Sequence, residues 1–385
     1  MKRFLPAVLL FAAACGSSSR PNQPATALQT LSVGNYSADI GPSPVGVIPM
    51  ATLHDAQRNK DLEVSIEYPT RGGPFPIIVF SHGYGSSDHG YEPLISYWTS
   101  NGYVVIRPSH ADAGALRDTS RDVLSGAPPT PAARGRQRGM PPPTTPPVPQ
   151  TNRTEDIFDR EVEPQWRNRA LDIRLVLDSL NDLEHQFPEL QGKMDHARMG
   201  VGGHAYGAFT ALLVAGMNGT FADSRVRAAV AMSPPGPSTM RGITTASFAT
   251  LKVPMMFMTG TNDRGANESE DVNWRKQAFE NSPAGDKYFV LIDGARSSSF
   301  TGQVSFYDVP MQPTTAANPY GQQQQVPQQQ RGAMVFGNDR RIFQIVKIAS
   351  LAFWDDYLKS DAAARDLLST QKFESAFTGA HLTVK

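Results

Sequence analysis

The stretch VGGHAYGAFTALLVAG, residues 201–216, reads as the end of a strand, a sharp turn and the start of a helix. In that setting a G-x-S-x-G frame carries a serine nucleophile on a strained turn, with small residues two before and two after it because the turn crowds the adjoining strand and helix. Here the frame is Gly203-His204-Ala205-Tyr206-Gly207. Both glycines are present. The central side chain is a methyl group, which can neither attack an electrophile nor accept a proton. The N–H of Tyr206 would sit at a helix N-terminus, where donors and dipole favour an oxyanion.

Three further segments carry residue types that belong with such a turn. FSHGYGSS (Phe80–Ser87) is a strand running into a glycine-rich loop, where the Tyr84 N–H can face a cleft and glycine allows close approach of a substrate oxygen. MFMTGTNDR (Met256–Arg264) ends a strand at Asp263, a position suited to the acid that orients a histidine, or to an Asx turn or helix cap. FVLIDGARSSSFTG (Phe289–Gly302) is a strand followed by the loop on which a triad histidine comes last in chain order. That loop holds Ser297, Ser298 and Ser299 and no histidine, and no base is evident beside these hydroxyls. His381, the only histidine after Asp263, lies far downstream in a polar tail. Without a histidine, Asp263 must find another donor; Arg264 and Arg296 are near it in sequence. The eight histidines are scattered without His-x-x-x-His or His/carboxylate spacing, so no metal site and no cofactor are expected.

The elements that must position these residues follow from hydrophobic patterning. VIPMATLHDAQRNKDLEVSIEYPT gives two extended runs around a polar turn; FPIIVFS and YVVIRP are short apolar runs typical of strands buried on both faces. YEPLISYWTSNG and QWRNRALDIRLVLDSLNDL have helical spacing, as does RRIFQIVKIASLAFWDDYLKS near the end of the chain. ARMGVGG, VRAAVAMSP, VPMMFMTG and KYFVLIDG are further strands, with DVNWRKQAFEN a helix between the last two. Strands alternating with helices predict an α/β sandwich with a mostly parallel sheet, which places sites at the carboxyl ends of the strands. Two segments interrupt the pattern: a Pro-rich insertion over 111–165 and a Gln-rich low-complexity loop over 311–332, expected to be disordered.

The 385 residues carry 36 basic and 36 acidic side chains, so no bulk attraction to nucleic acid or anionic membrane follows. MKRFLPAVLLFAAAC has a basic start, a short apolar run and small residues leading into Cys15, the chain's single cysteine. It reads as a secretory signal over 1–14 followed by a tether over 15–45 and a folded domain over 46–385. AAAC followed by a Ser-rich stretch resembles a bacterial lipoprotein signal, with Cys15 lipidated, although Ala12 stands where leucine is usual. Plain secretion with cleavage nearby is the alternative. Either way an internal disulfide is excluded.

From Val47 to Leu368 the chain resembles the α/β-hydrolase family. Within it, it is similar to the secreted bacterial esterases grouped with dienelactone hydrolase, platelet-activating-factor acetylhydrolase and cutinase-like enzymes. The marks are FSHGYG, GYVVIRPSH, RNRALDIRLVLDSL, GVGGHAYGAFTALL, TGTND and LIDGAR followed by Phe300. The resemblance implies that Ala205 holds the nucleophile position, Asp263 the acid, and Ser297 the histidine position of a Gly-Ala-x-His-x-x-Phe pattern. It implies that Tyr84 and Tyr206 supply the oxyanion N–H groups, that Gly203 and Gly207 are the elbow glycines, and that His204 faces away from the nucleophile. Tyr84 and Trp98 are candidates for an aromatic substrate wall or for core. The implied substrate is a small-molecule or polymeric ester met outside the cytoplasm, with any membrane attachment through a lipid at Cys15.

Two of three triad positions are therefore substituted. Loss of the nucleophile or histidine alone costs about 10⁶ in kcat, and further losses add little because the members act as a unit. The chain as written is expected to show no triad turnover. It is either a natural pseudoenzyme that binds a ligand or partner, or a recently or deliberately inactivated ester hydrolase.

Overall fold

The computed structural model describes residues 30–86, 88–113, 165–239, 242–265, 269–302 and 328–385. The expected signal segment, Cys15 and the first half of the tether lie outside these residues. So do most of the Pro-rich insertion and the Gln-rich loop up to residue 327.

Residues 30–45, expected as the end of a tether, are instead folded onto the body. β1 (Ser32–Val33) and β2 (Tyr36–Ser37) pair antiparallel. Tyr36 and Ala38 are buried in the same apolar cluster as the C-terminal helices, with Tyr36 Oη donating to Asp355. β3 (Val45–Asp55) and β4 (Lys60–Pro69) then form the expected hairpin, with a register irregularity between Ile48 and Ala51. β5 (Phe75–Ser81), α1 (Glu92–Ser100) and β6 (Val104–Pro108) follow. After the insertion come α2 (Gln165–Asp178), α3 (Leu180–Gln186), β7 (Met194–His204) and α4 (Tyr206–Val214). The second half holds β8 (Val226–Met232), β9 (Met255–Gly260), α5 (Val272–Glu280) and β10 (Lys287–Ile292). The chain closes with α6 (Gln328–Lys359), α7 (Ala362–Leu367), α8 (Thr370–Ala376) and β11 (Ala380–Val384). Two expectations are corrected here. The last residues of the Gln-rich stretch, from Gln328, are already helical. The supposed polar tail is a strand that pairs antiparallel with β10.

Nine strands form one sheet in the order β11-β10-β9-β8-β7-β5-β6-β4-β3. The strands from β6 to β10 run parallel, and β3, β4 and β11 are antiparallel at the two sides. Alternate residues of each central strand enter opposite clusters, as period-2 side-chain geometry requires. Ile77, Val79 and Val201 face Ile173, Val176 and the apolar residues of α4, while Ile78, Phe80 and Val230 face α1 and Trp354 of α6. Burial on both faces explains why these strands read as continuous apolar runs. A Cβ at Gly200 would lie 2.6 Å from the Trp354 ring, so glycine there lets α6 lie close along β7.

Candidate functional site

β7 delivers His204 to the carboxyl edge of the sheet, Ala205 makes the turn, and Tyr206 opens α4. Ala205 adopts φ 52° and ψ −109°. Its N–H donates to the Met232 carbonyl of β8 at 2.9 Å, and its carbonyl accepts the Phe209 N–H at 3.1 Å, so both sides of the turn are fixed. Positive φ in a non-glycine residue costs on the order of 1–3 kcal/mol and persists only where the surroundings over-determine it. The two glycines are what permit the turn. A Cβ on Gly203 would overlap the Gly207 carbonyl, and one on Gly207 would overlap the Ser81 carbonyl at the end of β5.

The loop His82–Gly85 lies against this turn. The Gly83 N–H donates to Tyr91 Oη at 3.0 Å, and the Tyr84 and Tyr206 rings are 5.8 Å apart between centroids. Beneath the loop, Arg169 of α2 and Asp112 form a fully buried bidentate pair, with Nε to Oδ1 at 3.0 Å and Nη2 to Oδ2 at 2.7 Å. Arg169 Nη1 also donates to the His82 carbonyl at 2.7 Å, and Asp112 Oδ2 accepts the Gly85 N–H at 2.9 Å. Burial raises the Asp112 carboxyl, but the Arg169 charge and hydrogen bonds outweigh it and hold the group below the usual range.

The loops that carry Asp263 and Ser297 are hydrogen-bonded to each other. The Thr261 N–H donates to the Ile292 carbonyl, the Asn262 N–H to the Ala295 carbonyl, and the Gly294 N–H to Thr261 Oγ1 at 2.8 Å. Asp263 is 1% exposed. Its Oδ2 accepts from Thr259 Oγ1 at 2.8 Å and its Oδ1 pairs with Arg275 Nη2 at 3.1 Å. The partner is thus Arg275 from α5, not Arg264 or Arg296. The Arg275 Nη1 donates to the Ser233 and Pro234 carbonyls, tying the acid's loop to the end of β8. Ser297 opens a short 3₁₀ turn, Ser297–Phe300.

The expectation that no base is evident near Ser297 is corrected. His204 Nε2 lies 3.0 Å from Ser297 Oγ, and its Nδ1 lies 2.8 Å from Tyr91 Oη. The direction of these bonds decides their chemistry. Tyr91 Oη accepts from the Gly83 N–H and is also hydrogen-bonded to Ser86. Burial and the Arg275 charge push His204 down to about 3, so the ring is neutral, with one nitrogen a donor and the other an acceptor. Protonated on Nε2 it accepts from Tyr91 and donates to Ser297; protonated on Nδ1 it donates to Tyr91 and accepts from Ser297. The arrangement resembles a nucleophile and base in spacing, with an imidazole whose basicity burial has lowered.

A second constellation escaped sequence reasoning. Ser81 Oγ lies 2.9 Å from His110 Nε2, and His110 Nδ1 lies 2.9 Å from Asp172 Oδ2. Arg58 and Lys60 also donate to Asp172. Burial raises the Asp172 carboxyl, but the hydrogen bond and charge of His110 with the Lys60 and Arg58 charges hold it low. Burial and the Arg169 charge push His110 down to about 4. The connectivity is that of a triad, but Ser81 is 0% exposed and the Arg169 guanidinium lies against its hydroxyl. It is a brace. Only the pairing of β5 with β6, which sets Ser81 and His110 at neighbouring strand ends, could have revealed it.

Trp98 is core, packed on Phe80 and Trp354 with its Nε1–H donating to Ser350, which removes it from any substrate wall. Tyr84 is half-buried beside Tyr206. His381 sits on β11 near Asp293 and Glu374, half-exposed, and belongs to another edge of the sheet. Among the described residues no group of His, Cys, Asp and Glu could hold a metal ion. Nor is any described helix long and apolar enough to cross a membrane.

Residues 36–126 match the family model described as Chlorophyllase. Over 70 residues the chain is 27% identical to chlorophyllase-1 of Arabidopsis thaliana, covering 18% of this chain and 22% of that protein. The chain therefore matches about a fifth of that relative's length. With the mostly parallel nine-stranded sheet, its flanking helices and the strand–turn–helix at Ala205, the architecture is settled. The fold is that of an α/β-hydrolase. The family match covers β2 to β6 of this hydrolase scaffold and includes the loop His82–Gly85. It ends before Ala205, Asp263 and Ser297.

Proposed function

We propose that the chain is the scaffold of a serine-type carboxylic ester hydrolase acting outside the cytoplasm, with Ala205 at the nucleophile position and Ser297 at the histidine position. As written it does not turn esters over by triad chemistry. The observation that carries this reading is the Ala205 backbone. It holds positive φ between two glycines that tolerate no Cβ, a conformation that serves a nucleophile and gives an alanine nothing. In a form with serine and histidine restored, the serine attacks the ester carbonyl and the histidine takes its proton and passes it to the leaving alkoxide. Asp263 orients the imidazole, and the Tyr84 and Tyr206 N–H groups hold the oxyanion. The subgroup similar to dienelactone hydrolase, platelet-activating-factor acetylhydrolase and cutinase-like enzymes, and lipid attachment at Cys15, belong to the same proposal.

The test is restoration. Ala205→Ser with Ser297→His should hydrolyse short p-nitrophenyl esters at least about 10³-fold faster than the parent, a fraction of the ~10⁶ that a triad contributes. A double variant that folds yet stays at the parent's rate across chain lengths overturns the assignment.

A second reading draws on the braced loop His82–Gly85, which survives without a nucleophile: the unmodified chain binds esters or carboxylates without turnover. Carboxylates or fatty acids should then raise its melting temperature, with the stabilisation growing as the logarithm of ligand excess over Kd. A flat response across a set of chain lengths counts against binding.

A further inference from the structure

Arg169 and Asp112 make more contacts with one loop than neutralising each other requires. Arg169 is 1% and Asp112 5% exposed. Such a pair is costly to bury and is weak evidence for stability by itself. Apart from the Arg169 bond to Ser81 Oγ, its remaining hydrogen bonds converge on His82–Gly85. Arg169 donates to the His82 carbonyl at 2.7 Å, and its Nη2 reaches the Gly83 carbonyl at 3.5 Å. His82 Nδ1–H donates to the same Gly83 carbonyl at 2.7 Å. Asp112 accepts the Gly85 N–H at 2.9 Å.

The geometry of the peptide turns these contacts into a constraint on Tyr84. A trans peptide is planar, with its N–H opposite its C=O. The Gly83 carbonyl is held by His82 Nδ1–H and the Ser86 N–H, with Arg169 Nη2 at 3.5 Å, so the Tyr84 N–H of the same peptide unit points away from these groups. The next unit is fixed from the other end through the Gly85 N–H. The peptide after Tyr84 is thus held by the ion pair directly, and the one before it chiefly through His82 Nδ1–H and the Ser86 N–H, with Arg169 anchoring the His82 carbonyl beside them. The Arg169 guanidinium also lies over the Tyr206 ring, 4.4 Å from its centroid, and so touches the residue that bears the second donor.

We propose that Arg169 and Asp112 are the positioning pair of the oxyanion hole, fixing the Tyr84 and Tyr206 N–H groups from below without touching substrate. The inference rests on the ester-hydrolase reading above. Donors held in place before reaction need no reorganisation as charge develops, and a misplacement of about 1 Å can cost ~10² in rate. In the Ala205→Ser, Ser297→His background, Arg169→Lys keeps the charge and loses the fork. It should lower kcat about 10- to 100-fold while KM changes less than about threefold. Arg107→Lys, at the equally buried Arg107–Glu67 pair between β6 and β4, is the matched control and should leave kcat unchanged. Equal kcat in the two variants, or a loss confined to KM, overturns the proposal. An inactive restored background would count against the ester-hydrolase reading instead. The pair is then tested in the unmodified chain by ¹⁵N NMR. Arg169→Lys should shift the Tyr84, Gly85 and Tyr206 amides and speed the exchange of Gly85, and Arg107→Lys should not. Unmoved amides in Arg169→Lys overturn it.

Discussion

At Ala205, φ 52° and ψ −109° are imposed by the Met232 and Phe209 hydrogen bonds on either side, not by the side chain. Glycine adopts such a conformation without the Cβ penalty. Ala205→Gly should therefore raise stability, by about 1 kcal/mol after its own entropic cost is counted, read from denaturant midpoints at unchanged slope. An unchanged or lower midpoint would mean that the turn carries no strain. The elbow frame, Asp263 and the Ser297 loop were legible in sequence because each is a short motif at a strand end. Arg275 and the partners of His204 were not. Arg275 lies a full helix turn into α5 and reaches Asp263 only through folding, and His204 is bonded to Tyr91, 113 residues away. Interactions of that kind leave no local spacing to read.

Elements that are apolar on both faces were legible almost to the residue, since β5, β6 and β7 to β10 read as continuous buried runs. Elements on the rim were not. β11 buries only Ala380 and Leu382 among five residues, so its sequence gives little signal, and β1 and β2 are two residues each. The tightest element contact in the site is legible as a glycine but not as a distance. At Gly207, α4 meets the end of β5 with no room for a methyl group against the Ser81 and His82 carbonyls. Backbone cannot yield as a flexible side chain does. Gly207→Ala should cost about 3 kcal/mol or more by moving α4 off the sheet, measured by chemical denaturation. A loss under about 1 kcal/mol would show that the helix shifts freely, which would also undercut the fixed placement of the Tyr206 N–H.

Three imidazoles are buried together at the carboxyl edge of the sheet, and they make the whole molecule's stability depend on pH. His82, His110 and His204 are each pushed down, first by burial and then by the charge of Arg169 or Arg275, with His110 near 4 and His204 near 3. In the unfolded chain they titrate near 6.5. Between these values the unfolded state binds more protons than the folded one, so stability rises with pH and falls as pH drops below about 6.5. At pH 5 His110 and His204 stay neutral in the fold, so the loss is set by the unfolded pKa alone, on the order of 2 kcal/mol for each. The lowered carboxyls of Asp112 and Asp172 add their own loss only on further acidification, below the ordinary carboxylate range. Unfolding free energy should therefore drop by several kcal/mol from pH 7 to 5. His204→Gln should be less stable than the parent at pH 7 and show a shallower slope. A parent whose stability is flat across this window would mean that the imidazoles protonate in place, and the neutral His204 beside Ser297 would have to be abandoned.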